Sequence, residues 1–415
     1  MSAKTTESPI VLLGWSLQTI EAADKLGKPF IVVSFSDYES YAKKHNIPFL
    51  AWDYGKNPSY NEVYTRSEQL YKKLKDRNVQ AVVPVFEETV EWTGALRARI
   101  NDNPYYFYHS LLFRDKARMK RRALLGGLRV GIFEEATTKD HVKDFIQKIK
   151  DVYLKTHTTE YYPVHVKPFN RAGASGHKLF NRVEDVDVEM GKDNFPCLIE
   201  SHLDGSEFSC EVFVFNRKII FMNITEYVRL GYSMIVPPSP WLENYREDIR
   251  KVVQQLIDEF EVDYGFVHPE FFINKDGKIS FGEVAYRVPG GHIFDLIQRT
   301  YNFNPFEAFI MCNNPNESEE EIRKIFPDEK NHNGHAGSFL VYPRVKYIKD
   351  INIPKELEDH PCFEKQDLLK PSIGKVPVHE CEGFGGHYGT IFFHGQASEE
   401  IKQPLMRYVD HNFYV

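Results

Sequence analysis

Residues 265–291 read GFVHPEFFINKDGKISFGEVAYRVPGG, two β-rich runs separated by Lys275-Asp276-Gly277. An Asp-Gly pair between such runs is a strong hairpin signal, because both turn residues tolerate the left-handed region. Counting outward from the turn puts Glu270 and Glu283 at roughly equal depth on neighbouring antiparallel strands, where their side chains can share a face. Arg287 follows four residues after Glu283. Mg²⁺ takes one or two carboxylates together with substrate phosphates, so the stretch is a compact candidate site for Mg²⁺ and phosphate. A salt-bridged sheet surface would use the same residue types, and the hairpin alone does not separate the two readings.

Upstream, the pattern alternates strands and helices. Pro9–Trp15 (PIVLLGW), a helix ending at Gly27, and Pro29–Phe35 (PFIVVSF) form a β-α-β unit, with an almost continuously apolar second strand that suits a parallel sheet covered by helices. A helix over Asn61–Asn78 and a buried strand over Val79–Phe86 complete a small α/β domain. Gly14 ends the first strand, but Gly14-Trp15-Ser16-Leu17-Gln18 lacks the spaced glycines of a dinucleotide fingerprint. Glu87 and Glu88 stand at the carboxyl end of a strand, where open α/β sheets place ligands; capping of the next helix would use them equally well. Arg114–Arg122 (RDKARMKRR) reads as a cationic helix with a solvated face. Further on come a helix in TKDHVKDFIQKIKDVY, a strand in YPVHVKPFN, strands in CLIESHLDG and SEFSCEVFVFNRKIIFMNITEY with a turn at Asn216-Arg217, and an amphipathic helix in ENYREDIRKVVQQLIDEFE. The acidic run near Ser318 and Glu321 fits a capping box on a solvated helix.

The 415 residues suffice for two or three domains, and 42% hydrophobic content with 14% aromatics supplies core material. A net charge of −7 argues against a nucleic-acid surface, whose affinity rests on clustered positive charge. The sequence contains no apolar run of membrane-spanning length and the N-terminus does not resemble a signal peptide, so a cytoplasmic protein without membrane contact is expected. The five cysteines, Cys197, Cys210, Cys312, Cys362 and Cys381, form no CxxC pair and should be reduced.

Lys167 ends a strand and is followed by a small-residue loop holding Gly173, Ser175 and Gly176. Such a loop lets backbone N–H groups approach phosphate oxygens while the lysine supplies a point charge, although a plain turn would look the same and the GxxxxGK[ST] pattern is absent. The order of the pieces is more specific. Lys116 in RDKARMK, Lys167 in HVKPFNRAGASG, Glu200 in CLIESHLDG, Glu207 in GSEFSCEVFV, Glu270 in HPEF and Glu283 with Arg287 in GEVAYRVPGG follow one another as in the ATP-grasp superfamily. Over nearly its whole length the chain resembles the carboxylate–amine ligases of that superfamily, among them the L-amino-acid (dipeptide) ligases and carnosine synthase.

That resemblance implies a mixed α/β fold, α+β in the grasp core. It would comprise an N-terminal Rossmann-like domain over 1–112, a lid subdomain over 113–202 and a C-terminal metal-binding subdomain with a closing tail over 203–415. It implies ATP and Mg²⁺ as cofactors, with Mn²⁺ as a substitute. Lys116 and Lys167 would bind the α- and β-phosphates, and the loop of Gly173, Ser175 and Gly176 would close over the triphosphate. Glu200 and the backbone of Leu203 would border the adenine, and Glu207 would hold the ribose hydroxyls. Glu270 and Glu283 would hold Mg²⁺, and Arg287 would neutralise the transferring phosphoryl group, since phosphoryl transfer is catalysed by positioning and charge neutralisation. The substrates would be a small carboxylate and an amine, amino acids in the first instance, with His268, His292 and Glu87 as candidate contacts, and a homodimer is common among relatives. Other outcomes are an ATP-grasp carboxylase, a nucleotide-biosynthesis ligase or a non-catalytic Mg·ATP-binding module.

One departure stands out. Many members read E-x-N-x-R at the metal strand, with asparagine as a further ligand, whereas this chain has Ala285 there. The histidines 165, 177, 268 and 292 lack zinc-site spacing, and GFGGHYG at Gly383–Gly389 reads as a turn before the last strand.

Overall fold

The first strand, β1 (Ile10–Leu13), is buried along its whole length and pairs in parallel with β2 (Phe30–Ser34) and β4 (Ala81–Pro84), as its uninterrupted apolar run requires. With β3 (Phe49–Ala51) it makes a four-stranded parallel sheet of order β3-β2-β1-β4. The helix Tyr60–Leu74 starts on a complete capping box between Ser59 and Glu62. The computed structural model describes residues 8–156, 163–171, 175–345, 347–369, 374–375 and 387–415.

A second, antiparallel sheet has the order β5-β8-β6-β7, from β5 (Phe133–Ala136), β6 (Val164–Pro168), β7 (Lys178–Phe180) and β8 (Cys197–Ser201). Its apolar side packs on the helix Lys139–Thr156 through Val142, Phe145, Ile146 and Ile149, a core of its own. The opposite side carries His165, Lys167 and Glu200.

The largest sheet has eight antiparallel strands in the order β13-β12-β9-β10-β11-β14-β18-β16. They are β9 (Ser206–Phe215), β10 (Lys218–Arg229), β11 (Ser233–Val236), β12 (Tyr264–Ile273), β13 (Ile279–Ala285), β14 (His335–Val341), β16 (Phe363–Leu368) and β18 (Gly389–Gly395). A two-residue ladder joins β15 (Tyr347–Ile348) to β17 (Gly374–Lys375). Asn216 and Arg217 turn β9 into β10 with φ of 52° and 58°, the two positive values a type I′ hairpin needs.

One face of this sheet packs on the helices Lys116–Leu125 and Arg246–Glu259, through Met119, Ala123, Ile249, Val253 and Leu256. The other face is divided. Phe213, Phe221 and Phe266 join the helices Ile293–Tyr301 and Pro305–Cys312 and the N-terminal sheet in a shared core, which fixes the first domain against the large sheet. Along the same strands lie Glu207, Ser209, Glu211, Asn223, Thr225, His268 and Glu270, so the remainder of that face is polar.

Arg114–Arg122 departs from a simple solvated face. Arg118 and Arg121 are exposed, but Lys120 is 2% exposed, because the helix lies between the large sheet and the smaller one. Cys197, Cys210, Cys312 and Cys362 are buried free thiols, while Cys381, Gly173 and Gly383–Gly386 lie outside the described residues. Among the described residues no helix is long and apolar enough to cross a membrane.

Candidate active site

The hairpin β12–β13 pairs Ile273 with Ile279, Phe272 with Ser280 and Phe271 with Phe281, then shifts by one residue so that Glu270 faces Glu283 and His268 faces Ala285. Gly282 is the extra residue. Without this bulge Glu283 would share the face of Phe271 and Phe281, because a one-residue slip moves a side chain to the other side of a sheet. A Cβ on Gly282 would stand 2.9 Å from the carbonyl oxygen of Glu270, so the close approach of the strands needs glycine.

Each carboxylate of the pair is already engaged. Glu283 accepts a hydrogen bond from Lys116 Nζ at 2.5 Å, and Glu270 accepts from Tyr227 Oη at 3.2 Å. Burial would raise the Glu283 carboxyl, but Lys116 and Lys167 outweigh it and hold it down at about 2. Glu207, half-buried beside Glu270 and Glu283, behaves oppositely: desolvation first and then those two carboxylates push it up to about 8. Beneath Glu270 lies His268, with Nδ1 3.1 Å from Glu211 Oε1 and Nε2 3.5 Å from Glu270 Oε1. Burial opposes its charge, yet the bonds to Glu211 and Glu270 lift the imidazolium to about 9. Glu211 is fully buried and also accepts from Ser209, Asn223 and Thr225. This network fixes the floor under Glu270.

The smaller sheet supplies the opposite wall. Lys167 Nζ lies 3.3 Å from Glu200 Oε2, and Lys120 Nζ lies 2.5 Å from Glu200 Oε1. Burial alone would drive Lys167 toward neutrality, but Glu200, Glu283 and Glu207 reverse that and raise its ammonium above the usual lysine range. Glu200 is held below the usual carboxylate range, Lys120 and Lys167 overcoming its burial. Across the same face runs a row of three histidines, His165 Nδ1 being 2.9 Å from His177 Nε2 and His165 Nε2 3.0 Å from His202 Nδ1. The rings tilt by only 12° and 11°, with centroids 5.0 and 5.3 Å apart. Hydrogen bonds to imidazole lie in the ring plane, so the three rings sit side by side as one flat strip rather than face to face. Burial, with Lys167 nearby, pushes His165 down to about 2 and His177 to about 4, leaving both neutral at pH 7.

Between the two sheets lies a cavity of about 420 Å³. Lys116, Lys167, Ser175, Glu200, Leu203, Glu207, His268, Glu270, Glu283 and Arg287 all line it, which brings ten of the fourteen sequence candidates to one space. Gly176 (φ 74°) sits between the lining residues Ser175 and His177. His292 instead begins the helix Ile293–Tyr301 in a left-handed conformation, with Nδ1 2.8 Å from Asp295 Oδ2. Glu87 is spoken for by Arg114 and Arg287 rather than turned to the cavity. Arg171, Tyr227 and His202 also line the cavity and were not singled out from the sequence. For Lys120 a signal existed, since it lies one helical turn beyond Lys116.

The facing carboxylates of Glu270 and Glu283 make a donor set of hard oxygens that fits Mg²⁺, while the Ala285 side chain offers no ligating atom. Residues 174–294, which span Ser175, His177, β7 to β13 and Arg287, match the family model described as an ATP-grasp domain. This part of the chain is similar to an ATP-grasp domain. The L-arginine-specific L-amino acid ligase of Bacillus subtilis is 21% identical over 351 residues, covering 80% of this chain and 79% of that one. Among solved structures, an L-amino acid ligase from Bacillus licheniformis superposes with a TM-score of 0.70 at 17% identity, over 96% of this chain and 97% of that one. An N5-carboxyaminoimidazole ribonucleotide synthetase from Thermotoga maritima gives 0.65 at 14% identity, over 96% and 97%. The ATP-grasp fold with its N-terminal α/β domain, expected from the order of motifs, is therefore the fold found, and the resemblance to ATP-grasp amino-acid ligases holds over most of the chain.

Proposed function

We propose that this protein is an ATP-dependent carboxylate–amine ligase that joins two small molecules, amino acids in the first instance, through an acyl phosphate. The observation that carries the reading is the register of β12 and β13, which sets Glu270 against Glu283 in a cavity that also holds Lys116 and Lys167. The amino-acid ligases among the similar proteins support this choice of substrates over bicarbonate or formate.

In this reading the flat, neutral histidine strip and Leu203 receive the planar base, and Lys167, two residues along β6 from His165, reaches the phosphates. Glu207 hydrogen-bonds the ribose. Glu270 and Glu283 would hold Mg²⁺, which would supply Lewis-acid charge neutralisation on the phosphates. Binding of nucleotide exchanges partners: Lys116 leaves Glu283 for a phosphate oxygen, which frees the Glu283 carboxylate. Arg287 neutralises the γ-phosphoryl group as it passes to the substrate carboxylate, giving ADP and an acyl phosphate. An amine then attacks the acyl carbon, phosphate leaves, and an amide forms. No side-chain nucleophile is required; the residues align two anionic reactants and exclude water.

A matrix of amino-acid pairs incubated with Mg·ATP, read by phosphate release and product mass, tests the proposal. Condensation products with stoichiometric ADP support it. ADP release only with bicarbonate or formate would favour the carboxylase or nucleotide-biosynthesis reading, and Mg·ATP binding without any turnover would leave a binding module.

A further inference from the structure

Four charged groups form a line from the N-terminal domain to the cavity. Glu91 Oε2 accepts from Arg114 Nε at 2.7 Å, Arg114 Nη1 donates to Glu87 Oε1 at 2.9 Å, and Glu87 Oε2 accepts from Arg287 Nε at 2.8 Å. Their side chains are 5%, 4%, 14% and 19% exposed in the same order. Glu87 thus spends one oxygen on each arginine. Its backbone is held as well: the Phe86 N–H donates to Thr89 Oγ1 at 3.2 Å and the Thr89 N–H to Phe86 O at 3.1 Å, pinning the turn that presents the carboxylate.

Placing four charges largely out of water is costly, and apolar residues of similar volume could tie two domains together more cheaply. The distinctive consequence lies at Arg287. Glu87 takes its Nε–H and the Val288 carbonyl takes Nη1–H at 2.8 Å; among the described residues Nη2 has no hydrogen-bond partner, which leaves it for an anion in the cavity that Arg287 lines. An arginine side chain gives up rotamer entropy when it is ordered, and an orientation fixed beforehand does not have to be acquired at the moment of reaction.

We infer that Glu87 is a positioning residue, which acts through Arg287 and is itself set by Arg114 and Glu91, so that the N-terminal domain aims the arginine at the transferring phosphoryl group. This rests on the ligase reading and gives the first domain a role in the chemical step. It gives Glu87 a role other than the expected substrate contact, since each of its oxygens already accepts from an arginine.

The test is a double-mutant cycle on the full chain, following ADP release with a substrate pair that supports turnover. Glu87→Gln should lower kcat about ten- to a hundredfold, as loss of a pre-aimed charge does, and leave KM for ATP within about twofold. In an Arg287→Ala background the same substitution should change kcat by less than about twofold, because its effect runs through the arginine. Glu87→Asp, which keeps the charge but shortens the reach, should fall in the same direction by less, and serves if the glutamine variant fails to fold. Additive losses in the cycle would overturn the relay, as would a raised KM for the acid or amine at unchanged kcat, or a lower melting temperature with unchanged kcat per folded molecule. Normal turnover by Arg287→Ala would remove the arginine from the ligase reading and the relay with it. Loss at Arg287 without loss at Glu87 removes the relay alone. Absence of turnover with every pair would overturn both.

Discussion

Replacing Gly282 by alanine exchanges a hydrogen for a methyl group at the point on which the site turns. The new Cβ would lie 2.9 Å from the Glu270 carbonyl oxygen and 3.2 Å from Cε2 of Phe272. The first is a backbone atom in the ladder and cannot swing aside, so relief has to come from opening the bulge. Overpacking of this kind costs about 1–3 kcal/mol. The strained atoms belong to Glu270 itself, and relaxation toward a bulge-free ladder carries Glu283 toward the face of Phe281. If about 1.4 kcal/mol of the strain appears as loss of the facing register, the Mg²⁺ needed for half-maximal nucleotide binding rises about tenfold. Denaturant unfolding measures the first quantity, and calorimetric titration of ADP at a series of Mg²⁺ concentrations measures the second. Gly191→Ala is the control, its Cβ meeting nothing nearer than Asn194 Oδ1 at 4.0 Å. A Gly282→Ala protein with the unfolding midpoint and Mg²⁺ dependence of the parent would refute the claim that the bulge builds the carboxylate pair.

Three further outcomes follow from the same geometry. Lys167→Ala and Glu283→Ala should each abolish ADP release while the far-ultraviolet circular dichroism stays unchanged; near-normal turnover in either would remove that residue from the mechanism. Ala285→Asn restores an oxygen beside the carboxylate pair and should lower the Mg²⁺ concentration for half-maximal activity, whereas an increase would mean that His268, opposite it in the ladder, leaves no room. The histidine strip makes the protein acid-sensitive: His165 and His177 are held near 2 and 4, against 6.5 in the unfolded chain, so the unfolded state binds about two more protons near pH 5. They cost no stability above pH 6.5; below it stability falls, down to about pH 4 on account of His177 and on to about pH 2 on account of His165. The pH dependence of unfolding in His177→Phe, compared with the parent, should show a shallower slope in that window, and an unaltered slope would contradict the assignment.

Much of this fold could be read from residues one to four positions apart, and its central site from residues that only the sheet brings together. The Asp276-Gly277 turn and the Asn216-Arg217 turn were local signals, and both hairpins formed around them. Counting back from Gly277 placed Glu270 and Glu283 at about equal depth, but a regular ladder would have left them on opposite faces. The mark of the bulge was nevertheless present in the chain. Ile279 and Phe281 are apolar at odd positions and Val284 and Tyr286 at even ones, so an extra residue must fall between Phe281 and Val284, and Gly282 is the residue that tolerates it. The basic helix misled for a different reason. A run of like charges is usually solvated, and the fate of Lys120 depended on Glu200, which lies 80 positions away on another sheet. Arg114, Glu87 and Arg287 span 200 positions, and no periodicity can announce a pairing of that length. What local patterning determines here is which face of each strand is polar. Which polar groups then neutralise one another is decided by how three sheets are stacked, and the chemistry proposed for the cavity depends on that second step.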